Sequence, residues 1–193
     1  VVIATHIILM GYGHWLPNDI RGSLSKQTFS PELRALAQSH FGMKTDQPTD
    51  AELRAFSEQA ASRLAYKLIW FGPPERGAIV HALGQSAARH RLAVYACAVL
   101  NNHVHILVGR HAMRGQDILP ILKEECKTEL VRLGMAGADH PVFSASVNCF
   151  FKSTPQLVRE CVTYIQGNFA KHDLPAQVYP FVTPYEGQWW SEL

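Results

Sequence analysis

The chain has 193 residues, 18 Lys and Arg against 16 Asp and Glu, and 47% hydrophobic residues. That excludes a disordered chain and bounds the molecule to one globular domain, with or without an insertion. A formal net charge of +2 admits a nucleic-acid partner without demanding one, and no run of 18 or more apolar residues exists to span a membrane.

Val1 to Met10 is β-branched and apolar and reads as a first strand, not as a signal peptide, since no basic start precedes it. Gly11 to Ser23 is rich in Gly, Pro, Asn and Asp and reads as a loop. From about 30 to 66 the reading is helical in two pieces, opened by caps at Ser30-Pro31-Glu32 and Thr49-Asp50-Ala51-Glu52, and taken as an insertion on a smaller core. Pro73 to Leu92 has apolar residues at Ile79, Val80, Leu83 and Ala87, the spacing of one helix face. Ala93–Leu100 and His103–Val108 are strands joined by a tight turn at Asn101-Asn102. Gln116–Leu133 is a helix, His140–Phe151 contains a strand, and Gln156–His172 is a helix behind a cap at Ser153-Thr154-Pro155. In the tail, Trp189 and Trp190 are expected to pack against the body. The four cysteines show no CxxC spacing and read as reduced, mostly buried thiols of a cytosolic protein.

With the insertion set aside, the order is strand, helix, strand, strand, helix, strand, helix. This is an α+β chain with a ferredoxin-like βαββαβ antiparallel sheet, an added C-terminal helix and a helical insertion after the first strand. Residues 1–193 would form a single domain. The strand carrying His103 and His105 would then lie at the middle of the sheet, beside the first strand.

Strand residues i and i+2 point to one face, so His103 and His105 project together while Val104 packs behind them. Two imidazoles can converge on one divalent ion, but they need a third ligand; a chance pair on a sheet surface is the competing reading. Tyr164 and Asn168 are four apart and share a helix face. A tyrosine is a possible nucleophile, and an asparagine carbonyl suits a hard cation. A cation on His103, His105 and Asn168 beside Tyr164 would suit attack on phosphorus. A packing Tyr and a capping Asn explain the same spacing.

These residues resemble a known family. NNHVHILVG resembles the His-hydrophobic-His motif of the single-tyrosine transposases, and YIQGN resembles their catalytic helix. THIILMGYGHWLPNDIRGS resembles the opening strand and loop of REP-associated tyrosine transposases, and the likeness spans nearly the whole chain. Asn168-Phe169 stands where many members have Asn-Pro, and Leu100-Asn101-Asn102 where many have Met-Pro-Asn. The resemblance implies His103, His105 and Asn168 as metal ligands, Mg²⁺ or Mn²⁺ as the metal, and Tyr164 as the nucleophile joined to a DNA 5′-phosphate. It also implies single-stranded DNA with a hairpin as partner, a monomer or homodimer, and a prokaryotic, cytoplasmic, nucleoid-associated setting.

Candidate DNA contacts are Lys123 and Lys127 on one helix face, and Trp15 and Arg21 in the first loop, where an unpaired base could be stacked or clamped. A solvated charge run and a core-packing Trp15 are the alternatives. Two other functions stay open: a hairpin-DNA-binding protein that no longer cuts, and a metal-dependent phosphoesterase with Tyr164 merely structural.

Overall fold

The computed structural model describes residues 1–23, 25–28 and 30–187, so Trp189 and Trp190 lie outside the described residues. In chain order the elements are β1 (Ala4–Met10), β2 (Gly22–Ser23), α1 (Pro31–Arg34), β3 (Gly42–Met43), α2 (Asp50–Ala61), α3 (Pro73–His90), β4 (Val94–Val99), β5 (His103–Gly109), α4 (Gly115–Arg132), β6 (Asn148–Lys152) and α5 (Pro155–Lys171). They fall into two compact units, residues 1–10 with 70–193, and residues 11–69.

In the first unit, β-branched and apolar sequence gives a four-stranded sheet in the order β4-β5-β1-β6, antiparallel throughout. The fold class is α+β, with the strand order of a ferredoxin-like sheet and α5 added at the end. β1 and β5 are the central pair, with Ile8 opposite His105 and Met10 opposite His103.

Alternation divides the sheet into two faces. One carries Ile7, Leu9, Val104, Ile106 and Val108, all buried, with Ile79 and Leu83 of α3 and Leu119 and Leu122 of α4 completing the core. Each such side chain contributes about 1.5–3 kcal/mol through burial. α4 lies close on β1, for a Cβ at Gly115 would fall on the Thr5 side chain. The other face carries His6, His105 and Leu107, and α5 covers it with a stripe of Val158, Cys161, Ile165, Asn168 and Phe169. Ala96 and Ala98 of β4 lie in register with Leu107 and His105, and such small side chains leave room for a helix above.

Local signals set the ends of these elements. Thr154 caps α5 by accepting from the Leu157 N–H, with Pro155 at the first helical position. The Asn101-Asn102 turn is closed by Leu100 N–H donating to the His103 carbonyl, 2.9 Å. Arg76 of α3 donates to Asn101 Oδ1 at 2.8 Å, and Phe71 N–H donates to the Asn101 carbonyl at 2.7 Å. The turn before the histidines is therefore pinned by α3 and by the backbone just ahead of it. The tail lies along β4, with Thr183 N–H donating to the Val94 carbonyl at 2.8 Å. Cys97, Cys126 and Cys161 are buried free thiols and Cys149 is half-buried.

The second unit has its own small core of Leu16, Leu33, Phe56 and Ala60, flanked by Ile20, Leu36, Ala37 and Leu64. Thr49 and Glu52 form a capping box at α2. The first helical piece is shorter than the sequence suggests. α1 is a single turn, Pro31–Arg34, because the Asn18 side chain takes the Leu33 and Ala37 carbonyls. The residues after it run instead to the short β2–β3 pair. No helix among the described residues is long and apolar enough to cross a membrane.

Candidate active site

The histidine face holds a chain of rings. His103 Nε2 lies 3.0 Å from His105 Nε2, and His105 Nδ1 lies 2.9 Å from His6 Nε2. His103 Nδ1 meets Asn102 Oδ1 at 2.7 Å. His6 and His105 are buried at 5% and 3% exposure, while His103 is half-buried. α5 brings Tyr164 over this group, its ring 5.5 Å from that of His105 and 6.0 Å from that of His6. Tyr164 is 47% exposed, so its ring is open to a substrate. Lys171 Nζ stands 4.8 Å from the Tyr164 ring centroid, a cation–π contact. His172, at the end of α5, has its ring 5.2 Å from that of His103.

The sequence-derived residues thus meet in part. His103 and His105 come together, and Tyr164 stands beside His105. Asn168 is buried one turn beyond Tyr164, and its Nδ2 donates to the Tyr164 carbonyl at 2.7 Å, which leaves Oδ1 as its acceptor atom. Among the described residues, no group of three or more His, Cys, Asp or Glu side chains is placed to hold a metal ion. The pair itself fits one edge of a cation's shell. Two ligands at about 2.1 Å, set at a right angle, are about 3.0 Å apart, which matches the Nε2–Nε2 distance. Both Nδ1 atoms have partners, as metal-bound histidines require. His103 and His105 would hold the ion, and Asn168 Oδ1 or substrate oxygens would complete it.

An open cleft of about 390 Å³ adjoins these groups, lined by His6, Phe150, Lys152, Glu160 and Tyr164 among others. Sequence reading missed His6, Lys171, His172 and this cleft. Alternation along THIILM puts His6 on one face with Ile8, but only the strand register shows that this face is the one carrying His105.

Of the proposed DNA contacts, Lys123, Arg21 and Trp15 have partners within the chain. Lys123 Nζ donates to the Ser144 and Ser146 carbonyls, 2.7 Å each, which ties α4 to the segment before β6. Burial pushes the Lys123 ammonium below its ordinary pKa. Lys127 is half-buried one turn further on. In the second unit, Arg21 makes a paired contact with Asp19, Nε to Oδ1 and Nη2 to Oδ2 at 2.8 Å each. Its guanidinium lies 3.9 Å over the Trp15 ring, and Trp15 Nε1 donates to the Gly22 carbonyl at 3.1 Å. These bonds order the first loop.

Burial holds the His6 imidazole down to about 4, with Lys152 adding to the effect. Burial likewise holds His105 down to about 2, reinforced by His103, His6, His172 and Lys171. Both rings are neutral in the folded chain at pH 7, whereas unfolded they take up protons below the ordinary value of 6.5. Their contribution to stability is therefore complete above pH 6.5 and is lost as pH falls through 6.5 toward 4. For His6 alone that interval corresponds to about 3 kcal/mol. Urea midpoints should fall steadily from pH 7 to pH 4.5, and less steeply in His6→Gln; equal midpoints across that range would contradict the buried neutral pair.

No protein-family model matches the chain, and no curated protein matches it. Among solved structures, one of a REP-associated tyrosine transposase bound to a REP hairpin aligns with 97% of this chain and 92% of its own, at 12% identity and a TM-score of 0.49. The likeness is to a REP-associated tyrosine transposase. At that identity the alignment carries no residue role across.

Proposed function

We propose that this chain is a metal-dependent enzyme that nicks and rejoins single-stranded, hairpin-bearing DNA through a 5′-phosphotyrosine link, as a REP-associated tyrosine transposase would. The observation that carries the reading is the placement of the Tyr164 ring 5.5 Å from His105, where the two Nε2 atoms lie 3.0 Å apart. Tyr164 stands half-exposed against the His105 and His6 rings, open to a substrate as a nucleophile must be. The motifs NNHVHILVG and YIQGN support the same reading.

A bound Mg²⁺ or Mn²⁺ would supply Lewis-acid polarisation of the scissile phosphate. The chain's own residues do the rest. His103 and His105 would present two ring nitrogens from a rigid central strand, and Asn168 would offer a carbonyl from α5. The Tyr164 hydroxyl, which is open to solvent, gives its proton to water and attacks phosphorus; the Oη–P bond forms, the P–O3′ bond breaks, and the 3′ oxygen takes up a proton from water. One phosphate ester is exchanged for another, so the reverse step reseals DNA without nucleotide fuel. In this reading the chain is one transposase domain, with residues 11–69 inserted after β1, working on DNA in a prokaryotic cytoplasm.

The test is a denaturing gel of the protein incubated with pooled single-stranded hairpin oligonucleotides and Mg²⁺ or Mn²⁺. A metal-dependent protein–DNA adduct is the expected result. Cleavage with no adduct would replace the reading by a phosphoesterase, and hairpin binding with neither product would replace it by a DNA-binding protein.

A further inference from the structure

An imidazole that binds a cation through Nε2 must carry its proton on Nδ1, so the partner at Nδ1 decides whether the ring is ready. The two histidines have different partners there. His103 Nδ1 meets Asn102 Oδ1 at 2.7 Å, and a carbonyl oxygen only accepts. His103 is therefore the Nδ1–H form, with its Nε2 lone pair aimed at His105 Nε2, 3.0 Å away. For that contact to be a hydrogen bond, His105 must carry its proton on Nε2. His105 Nδ1 then accepts, and the donor is His6 Nε2–H at 2.9 Å. So without a cation one histidine is preset and the other holds a proton where a cation would sit.

We infer that Asn102 and His6 are the positioning residues of the histidine pair: Asn102 keeps His103 permanently ready, and His6 lets His105 change tautomer when a cation takes the two Nε2 atoms. The inference rests on the reading of the pair as a cation site. The exchange balances. His105 gives up its Nε2 proton and gains one on Nδ1, while His6 gives up its Nε2 proton and gains one on Nδ1. His103 keeps its Nδ1 proton, and the number of protons on the three rings is the same before and after. His6 lines the open cleft, where water can carry the proton between ring positions. A carbonyl in place of His6 could only accept, and would leave His105 fixed in the other form. An imidazole can do both, which explains why a third histidine is buried on β1 at this point.

The experiment uses the full chain labelled with ¹⁵N-histidine, with long-range ¹H–¹⁵N correlations recorded before and after saturation with Mg²⁺. His105 and His6 should exchange tautomers while His103 stays Nδ1–H. A merely structural His6 would keep its tautomer, and that result would overturn the proposal. In parallel, Mn²⁺ binding is read from the free-ion EPR signal. His6→Phe and Asn102→Leu should each weaken it by about 10- to 100-fold, and His6→Gln, whose amide can turn to donate or accept, should recover most of the loss. Unchanged Mn²⁺ affinity in His6→Phe with binding intact in wild type overturns this inference alone. If wild type and His103→Ala are alike in failing to bind Mn²⁺, the cation site itself falls, and the proposal with it. Circular dichroism melting shows whether His6→Phe is folded; where it is not, the wild-type tautomer spectra decide.

Discussion

Tyr164→Phe should lose the DNA adduct and all metal-dependent nicking, a fall of about 10⁴-fold or more as expected when a nucleophile is removed. Hairpin binding should remain within about 2-fold, because a single hydroxyl at an exposed position carries little binding energy. The substitution keeps the ring, and with it the contacts to His105, His6 and Lys171. Tyr164 is 47% exposed, so stability should change by no more than about 0.5 kcal/mol. That combination separates a nucleophile from a packing residue. Gel-resolved nicking at the wild-type rate in this variant would end the tyrosine mechanism.

His103→Ala and His105→Ala should both remove metal-dependent cleavage, yet they should differ sharply in stability. His105 is 3% exposed and bonded on both sides, to His6 and to His103. Its truncation opens a cavity and strands the buried His6 nitrogen, a loss of about 2–4 kcal/mol. His103 is half-buried at the end of its strand, and its truncation should lose about 1 kcal/mol or less. Urea unfolding of the two variants measures the difference, and a cleavage assay on His103→Ala, the still-stable variant, gives the chemical result cleanly. Cleavage unchanged in His103→Ala would remove the histidine pair from the reaction.

Much of the sheet was legible because its signals are local. The βαββαβ order followed from apolar runs, the cap at Thr154 and the Asn101-Asn102 turn, each of which acts within a few residues. The pairing of His103 with His105 followed from strand alternation alone. The insertion was less legible. Helix-favouring residues after Arg34 suggested a longer helix, but the Asn18 amide, far back in the chain, captures the carbonyls that would have continued it. His6 shows the same limit at the site. Its place beside His105 depends on how β1 registers against β5, a long-range fact that no window of THIILM contains. Lys123 and Arg21 illustrate the converse. Their charge was plain, while the serine carbonyls and the Asp19 carboxylate that hold them are contacts of the folded chain.

The closed turn at Asn101-Asn102 makes the site depend on parity. Side chains on β5 alternate between the helix α5 and the layer of α3 and α4. A slip of β5 by one residue past β1 and β4 would send His103 and His105 into the hydrophobic core and bring Val104 and Ile106 under Tyr164. A slip of two would restore the face. The turn that Arg76 and Phe71 hold at Asn101 therefore keeps the phase of the strand as well as its place, and the chemistry of the site is tied to a backbone register.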